Sequence, residues 1–181
     1  MVFDRKGKVV AETEQLNTSF YPKPGFVEQD PDVILSAAAF VLKSALEQAE
    51  ITAEELISVR FSCAMHSLIC VDEDGHALSQ AMIWADGRSS GQAEELLKER
   101  GFTFYEKTGT PIHPMSLKEY IVYHWFNKRV VDYSMASASG LFNGALLDWD
   151  KEILEHIEVE KEQLSAPVPP TYILSGLHPI I

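Results

Sequence analysis

Residues 57–89 read ISVRFSCAMHSLICVDEDGHALSQAMIWADGRS, and the fold is decided by how this stretch is parsed. Ile57, Val59, Phe61 and Cys63 alternate with Ser58, Arg60 and Ser62, the period of a pleated strand. Ala64-Met65-His66-Ser67 breaks that period with polar groups, and Leu68–Val71 resumes an apolar run. Asp72-Glu73-Asp74-Gly75 is a turn by composition. A third apolar segment, Ala81–Trp84, ends in Ala85-Asp86-Gly87-Arg88. The pattern is strand, corner, strand, turn, strand. Polar groups then stand at two strand ends: His66 at the first, Asp86 and Arg88 at the third. Open α/β sheets build ligand sites at such ends.

Each of these residues also has a plain structural reading. A histidine at a strand end is as readily a hydrogen-bonded structural group as a ligand contact. Trp84 reads first as core, because an indole buries so much surface. Asp86 and Arg88 read equally as a surface ion pair of small worth.

Working outward, 181 residues make one domain, or one with a small extension. A 46% hydrophobic and 23% charged composition is globular. A net charge of −12 argues against non-specific nucleic-acid binding and against an anionic membrane surface. It leaves room for an anionic small substrate at a locally positive site. Cys63 and Cys70 fall in apolar strands and read as buried free thiols of a reducing compartment. No apolar run approaches a membrane helix, and the first residues lack a signal-peptide pattern, so the expectation is a soluble, cytoplasmic chain.

Upstream, Met1–Asp4 and Val9–Glu14 read as strands joined by a turn at Arg5-Lys6-Gly7-Lys8. A strand that begins at residue 1 suggests that residues are missing before it. Asp30-Pro31 is an N-cap followed by a first-turn proline, opening a helix whose buried face is Ile34, Ala37, Ala38, Val41, Leu42 and Ala45. Thr52 and Glu55 have capping-box spacing. Downstream, Ser89 and Gln92 open a helix expected to stop at Gly101, followed by a short strand over Phe102–Tyr105. Ser116–Asn127 reads as a helix with Leu117, Tyr120, Ile121, His124 and Trp125 on one face, His124 as a satisfied core histidine. The small-residue run after Asp132 reads as a close helix contact in preference to an active-site loop. Asp148 is expected to cap a last helix, and Pro167–Pro170 to make a stiff extended exit. There is no zinc spacing and no nucleophile elbow.

Six segments then carry a resemblance. Gly25-Phe26-Val27-Glu28-Gln29-Asp30-Pro31, Ala64-Met65-His66-Ser67, Ile83-Trp84-Ala85-Asp86-Gly87-Arg88-Ser89, Thr108-Gly109-Thr110-Pro111-Ile112-His113-Pro114-Met115, Lys118-Glu119-Tyr120 and Asp132-Tyr133-Ser134-Met135-Ala136-Ser137 occur in this order. Together they resemble the first half of the FGGY carbohydrate kinases, and within them the gluconate kinases. The resemblance implies an α/β fold of the actin-like ATPase (ribonuclease H-like) type, a mixed sheet with flanking helices. Residues 1–181 would be part of the sugar-binding N-terminal domain. It implies transfer of the ATP γ-phosphate, with Mg2+, to a hydroxyl of a sugar acid, D-gluconate giving 6-phosphogluconate. Met65, His66 and Trp84 would line the sugar pocket, His66 bonding hydroxyls and Trp84 packing on the carbon chain. Asp86, and more weakly Arg88, would shape it. A homodimer is compatible with the resemblance.

The departures are as informative. The family's opening Asp-x-Gly-Thr turn for the ATP phosphates, its catalytic aspartate in a Gly-Asp motif and its adenosine-holding second domain have no counterpart in this sequence. Its Lys-aromatic-x-Trp helix belongs between Pro114 and Lys118, yet Met115 runs directly into Ser116, so a skipped segment is expected there. Phosphoryl transfer depends on such parts, so these residues alone are expected to be inactive. Two alternatives stay open: a truncated, non-catalytic paralogue that binds a sugar acid or a partner, and a plain structural α/β domain.

Overall fold

The computed structural model of the protein describes residues 1–64, 66–108 and 118–176. In its first part the local signals act where the sequence places them. Arg5–Lys8 turns the chain between β1 (Val2–Phe3) and β2 (Val9–Ala11), which pair antiparallel. Asp4 Oδ1 accepts from the Lys6 and Lys8 amides at 2.8 and 3.0 Å and closes that turn. Asp30 caps α1 (Pro31–Gln48) by accepting from the Asp32 and Val33 amides. Thr52 N–H donates to Glu55 Oε2 at 2.9 Å over a single 3-10 turn, Ala53–Glu55.

The deciding stretch folds differently in its two halves. Residues 57–64 join no strand among the described residues. A strand exists only where a neighbour takes its backbone hydrogen bonds, and none of the described residues does so here. The period-two pattern survives only at Phe61 and Cys63, which turn inward against the core of α1 and α3 (Lys118–Phe126). Ile57 stays 74% exposed. The second half does form a hairpin. Leu68 pairs with Met82 and Val71 with Ala77, and the Asp72–Gly75 turn closes it. Asp72 Oδ1 accepts from the Asp74 and His76 amides at 3.0 and 2.8 Å. Gly75 has φ +84° and lies so close to the Tyr123 ring of α3 that a Cβ would fall 2.0 Å from Cε1. The closed end of the hairpin is therefore docked on α3.

Ala81–Met82 is β4, antiparallel to β3 (Glu28–Gln29), and Glu28 in turn pairs with Phe20. Phe20, Glu28, Met82 and Leu68 thus make one row across four chain segments.

Several expectations are corrected. Gly101 does not stop its helix: α2 runs Ser90–Thr108, and residues 102–105 are helical and not a strand. A mid-helix glycine costs only about 1 kcal/mol. Glu94, Glu95, Lys98 and Glu99 before it are good helix formers. The last turn is anchored by Lys107, which pairs with Asp150 and Glu152. Cys70 is exposed, whereas Cys63 is half-buried and burial pushes its thiol up. The final helix α5 (Lys151–His156) is capped by Asp150, not Asp148. Asp148 belongs to β7 (Asp148–Trp149), paired with β6 (Phe142–Asn143). The Pro167 segment is a strand, β8 (Ala166–Val168), parallel to β5 (Val130–Asp132). The proposed break between Met115 and Ser116, together with Leu117, lies outside the described residues.

Pairing is mixed: three antiparallel ladders and one parallel among the described residues. Two apolar clusters hold the layers. Ile34, Ile121 and Trp125 join α1 to α3, with the Phe61 ring edge-on to Trp125 at 5.1 Å. Val131, Met135, Phe142, Trp149 and Leu154 pack β5, α4 (Tyr133–Ala138), the β6–β7 hairpin and α5 together. His124 sits between the Tyr120 and Tyr123 rings, at 4.5 and 5.7 Å, and its Nε2 is buried without a hydrogen-bond partner among the described residues. The expectation of a satisfied core histidine is therefore not met at Nε2. No described helix is long and apolar enough to cross a membrane.

Candidate functional site

The row of four segments sets the geometry. In an antiparallel ladder, stepping two residues along one strand and two back along its partner reaches the same end. From Leu68–Met82 that step reaches His66 and Trp84; from Glu28–Met82 it reaches Phe26 and Trp84. His66, Trp84 and Phe26 thus each lie two residues beyond the last paired residue, in the same direction along the ribbon. His66 is half-buried and takes a left-handed φ of +62°, which ends the pairing there. Trp84 lies in the turn after β4, closed by the Asp86 amide donating to Ile83 O at 2.8 Å, and is 68% exposed. Its ring is not core. Met65 lies outside the described residues.

Asp86 and Arg88 are more than a surface pair. Asp86 Oδ1 accepts from the Arg88 amide at 3.0 Å and from Arg88 Nε at 2.8 Å. Asp86 Oδ2 accepts from the Val27 amide and from Arg88 Nη2, both at 2.7 Å. Arg88 Nη2 also donates to Glu28 Oε1 at 2.6 Å, and the guanidinium lies over the Phe26 ring at 4.0 Å. The Asp86 side chain is only 6% exposed. The Arg88 hydrogen bonds outweigh burial and hold the Asp86 carboxyl at about 2; the same bonds raise the Arg88 guanidinium above its ordinary value. Glu28 and Phe26 were missed as partners. No signal in the sequence pointed to them, because they lie about 60 positions from Arg88.

A second polar group lies at the start of α3. Lys118 Nζ donates to Asp132 Oδ2 at 2.7 Å. Asp132 Oδ1 accepts from Ser134 Oγ and from the Ser134 and Met135 amides, capping α4. Burial alone would raise the Asp132 carboxyl; the Lys118 and Ser134 hydrogen bonds leave it lowered. Its role among these residues is a cap and an ion pair.

A cavity of about 180 Å3 lies elsewhere, lined among others by Leu68, Ile69, Gly75, Tyr120, Tyr123 and Leu164. His66, Trp84, Asp86 and Arg88 do not line it; of these four only Trp84 is exposed. Asp72, Asp74 and His76 bring ligand-type atoms within 4.8 Å of one another, all exposed. Asp72 is already engaged in closing its turn. The described residues therefore do not compose a fitting site for Mg2+ with ATP.

The profile of the N-terminal domain of the FGGY family of carbohydrate kinases matches residues 1–118 and 115–179. A gluconokinase of Bacillus subtilis (strain 168) is 35% identical over 208 residues, covering 100% of this chain and 40% of that protein. A glycerol kinase of Thermococcus gammatolerans is 30% identical over 183 residues, covering 86% of this chain and 37% of that protein. Among solved structures, a gluconate kinase and a xylulose kinase, both from Lactobacillus acidophilus, superpose with TM-scores of 0.89 at 28% identity. Each match covers 98% of this chain and 40% or 41% of the other. The chain thus spans about 40% of the length of the curated gluconokinase it matches. The mixed α/β layout is that of the actin-like ATPase fold these kinases share. On a match that runs through nearly every residue, the chain belongs to the FGGY family of carbohydrate kinases.

Proposed function

We propose that this chain is part of the sugar-binding domain of an ATP-dependent kinase whose acceptor is a sugar acid, D-gluconate giving 6-phosphogluconate. The observation that carries the substrate is the gluconokinase match, 35% identical over the whole chain, against 30% over 86% of it for the glycerol kinase. In this reading His66 hydrogen-bonds substrate hydroxyls and Trp84 covers the carbon chain. The apolar face and N–H of an exposed indole suit a polyol, which presents C–H and O–H groups side by side. Met65 belongs to the same wall by resemblance. No step of phosphoryl transfer is assigned to the described residues, because none of them fits Mg2+ with ATP. We place the protein in the cytoplasm, where ATP is made available.

We further infer that the chain lacks a family segment between residues 115 and 118. The profile match divides into two segments meeting there. The gluconokinase alignment runs over 208 positions for a chain of 181 residues. That feature favours a second reading, a sugar-binding paralogue without activity.

The test is a substrate panel. Protein from the complete reading frame is assayed with Mg·ATP against gluconate, xylulose and glycerol, reading ADP release. Gluconate should give the highest kcat/KM. A higher value for xylulose or glycerol overturns the substrate. Gluconate binding by calorimetry without turnover selects the paralogue.

A further inference from the structure

We propose that Asp86 and Arg88 are positioning residues: with Glu28 and Phe26 they clamp the turn that carries Trp84 at a fixed angle to the ribbon, so that Trp84 meets the ligand and they do not. Only the identity of the ligand rests on the reading above; the clamp stands on its own geometry.

The turn needs such a clamp. Trp84 is 68% exposed, so its own packing cannot hold the loop. One backbone hydrogen bond closes the Ile83–Asp86 turn, and many turns with as little are mobile. What fixes it is the carboxylate two residues on. A carboxylate offers about four lone-pair positions, and Asp86 has four donors on them: the Val27 and Arg88 amides, Arg88 Nε and Arg88 Nη2. A substrate hydroxyl would have to displace one. Arg88 is committed as fully. One edge of its fork lies on Asp86, Nη2 also reaches Glu28, and its plane covers Phe26. Glu28 is itself in the four-segment row, between Phe20 and Met82. The clamp therefore ties the Trp84 turn to the strand beside it, and Ile83 N–H to Val27 O at 3.2 Å and Gly87 N–H to Gly25 O at 2.8 Å complete the seam. Lysine cannot replace the fork, because a point charge neither bridges two oxygens in a plane nor lies flat on a ring.

The test uses the chain with its three tryptophans, Trp84, Trp125 and Trp149, replaced by 5-fluorotryptophan and read by fluorine NMR. Trp84→Phe assigns the Trp84 line. In Arg88→Lys, the Trp84 line should move toward the free amino acid and sharpen. The lines of Trp125 and Trp149, buried in two separate cores, should stay. Gluconate should shift the Trp84 line of the unsubstituted chain, with a Kd about tenfold or more weaker in Arg88→Lys, as a displaced contact group implies. An unmoved Trp84 line in Arg88→Lys overturns the clamp, and so does a loss of thermal stability with all three lines moving alike in the milder Glu28→Gln. If gluconate, xylulose and glycerol all leave the unsubstituted chain unshifted, the ligand reading fails, while the Trp84 line in Arg88→Lys still decides the clamp.

Discussion

Gly75 is where the 68–82 hairpin rests on α3, and replacing it by alanine should be costly through two separable causes. The first is backbone. At φ +84° a Cβ is strained, costing roughly 1–2 kcal/mol. The second is contact. The new methyl would lie 2.0 Å from Tyr123 Cε1, 2.5 Å from Cδ1 and 2.9 Å from Cζ. No small rotation relieves three such contacts on one ring, so the ring or the turn must move. Overpacking of that kind costs about 1–3 kcal/mol. Gly75→Ala should therefore destabilise the chain by about 2–5 kcal/mol. In a Tyr123→Ala background only the backbone part remains, so the two substitutions should couple by about 1–3 kcal/mol. Urea unfolding of the four proteins of the cycle, with m held constant, measures this. Gly144→Ala is the control, since a Cβ there meets nothing within 4 Å; it should shift stability by about 0.5 kcal/mol or less. Additivity of Gly75→Ala and Tyr123→Ala within about 0.5 kcal/mol would refute the docking argument.

Three further outcomes are expected. The Asp86 carboxyl, held at about 2, contributes stability that is fully present above the ordinary aspartate range and is lost as pH falls through about 2. That is roughly 2 kcal/mol, so acid unfolding between about pH 4 and 2 should be visibly flatter in Asp86→Asn. Asp30→Ala removes the α1 cap made to the Asp32 and Val33 amides and should cost about 0.5–2 kcal/mol by denaturant titration. His66→Gly relieves the φ of +62° that His66→Ala leaves in place, so of the two variants His66→Gly should have the higher melting temperature. Both should weaken gluconate binding by calorimetry, and undiminished binding removes His66 from the pocket.

What was legible in the sequence was local. Asp30-Pro31, Thr52 with Glu55, and Asp72 with Gly75 each act on amides within four residues, so spacing alone reveals them. What was not legible depended on partners far along the chain. Residues 57–63 have the pattern of a strand, but a pattern supplies no neighbour. Gly101 is a stop signal overridden by the anchoring of Lys107 on Asp150 and Glu152, 45 residues from Lys107 in the latter case. Asp148 and Asp150 are equal as caps on paper, and the β6–β7 pairing decides between them. At the candidate site the ends of the apolar runs pointed to His66 and Trp84, which lie two residues beyond the Leu68–Met82 pair. The commitment of Arg88 to Glu28 and Phe26 was invisible, because it joins residues about 60 positions apart.

The four-segment row has a consequence for how this edge comes into being. Each segment contributes a single paired residue or two, so the row gains little until several distant pieces arrive together. Bringing Glu28 to Arg88 closes a loop of 60 residues, an entropic cost on the order of 3–4 kcal/mol that no local helix or turn repays. Segments with that balance form late in folding and open early in unfolding. The amides of Val27, Leu68 and Met82 should then exchange with solvent through an opening that leaves the α1–α3 core intact.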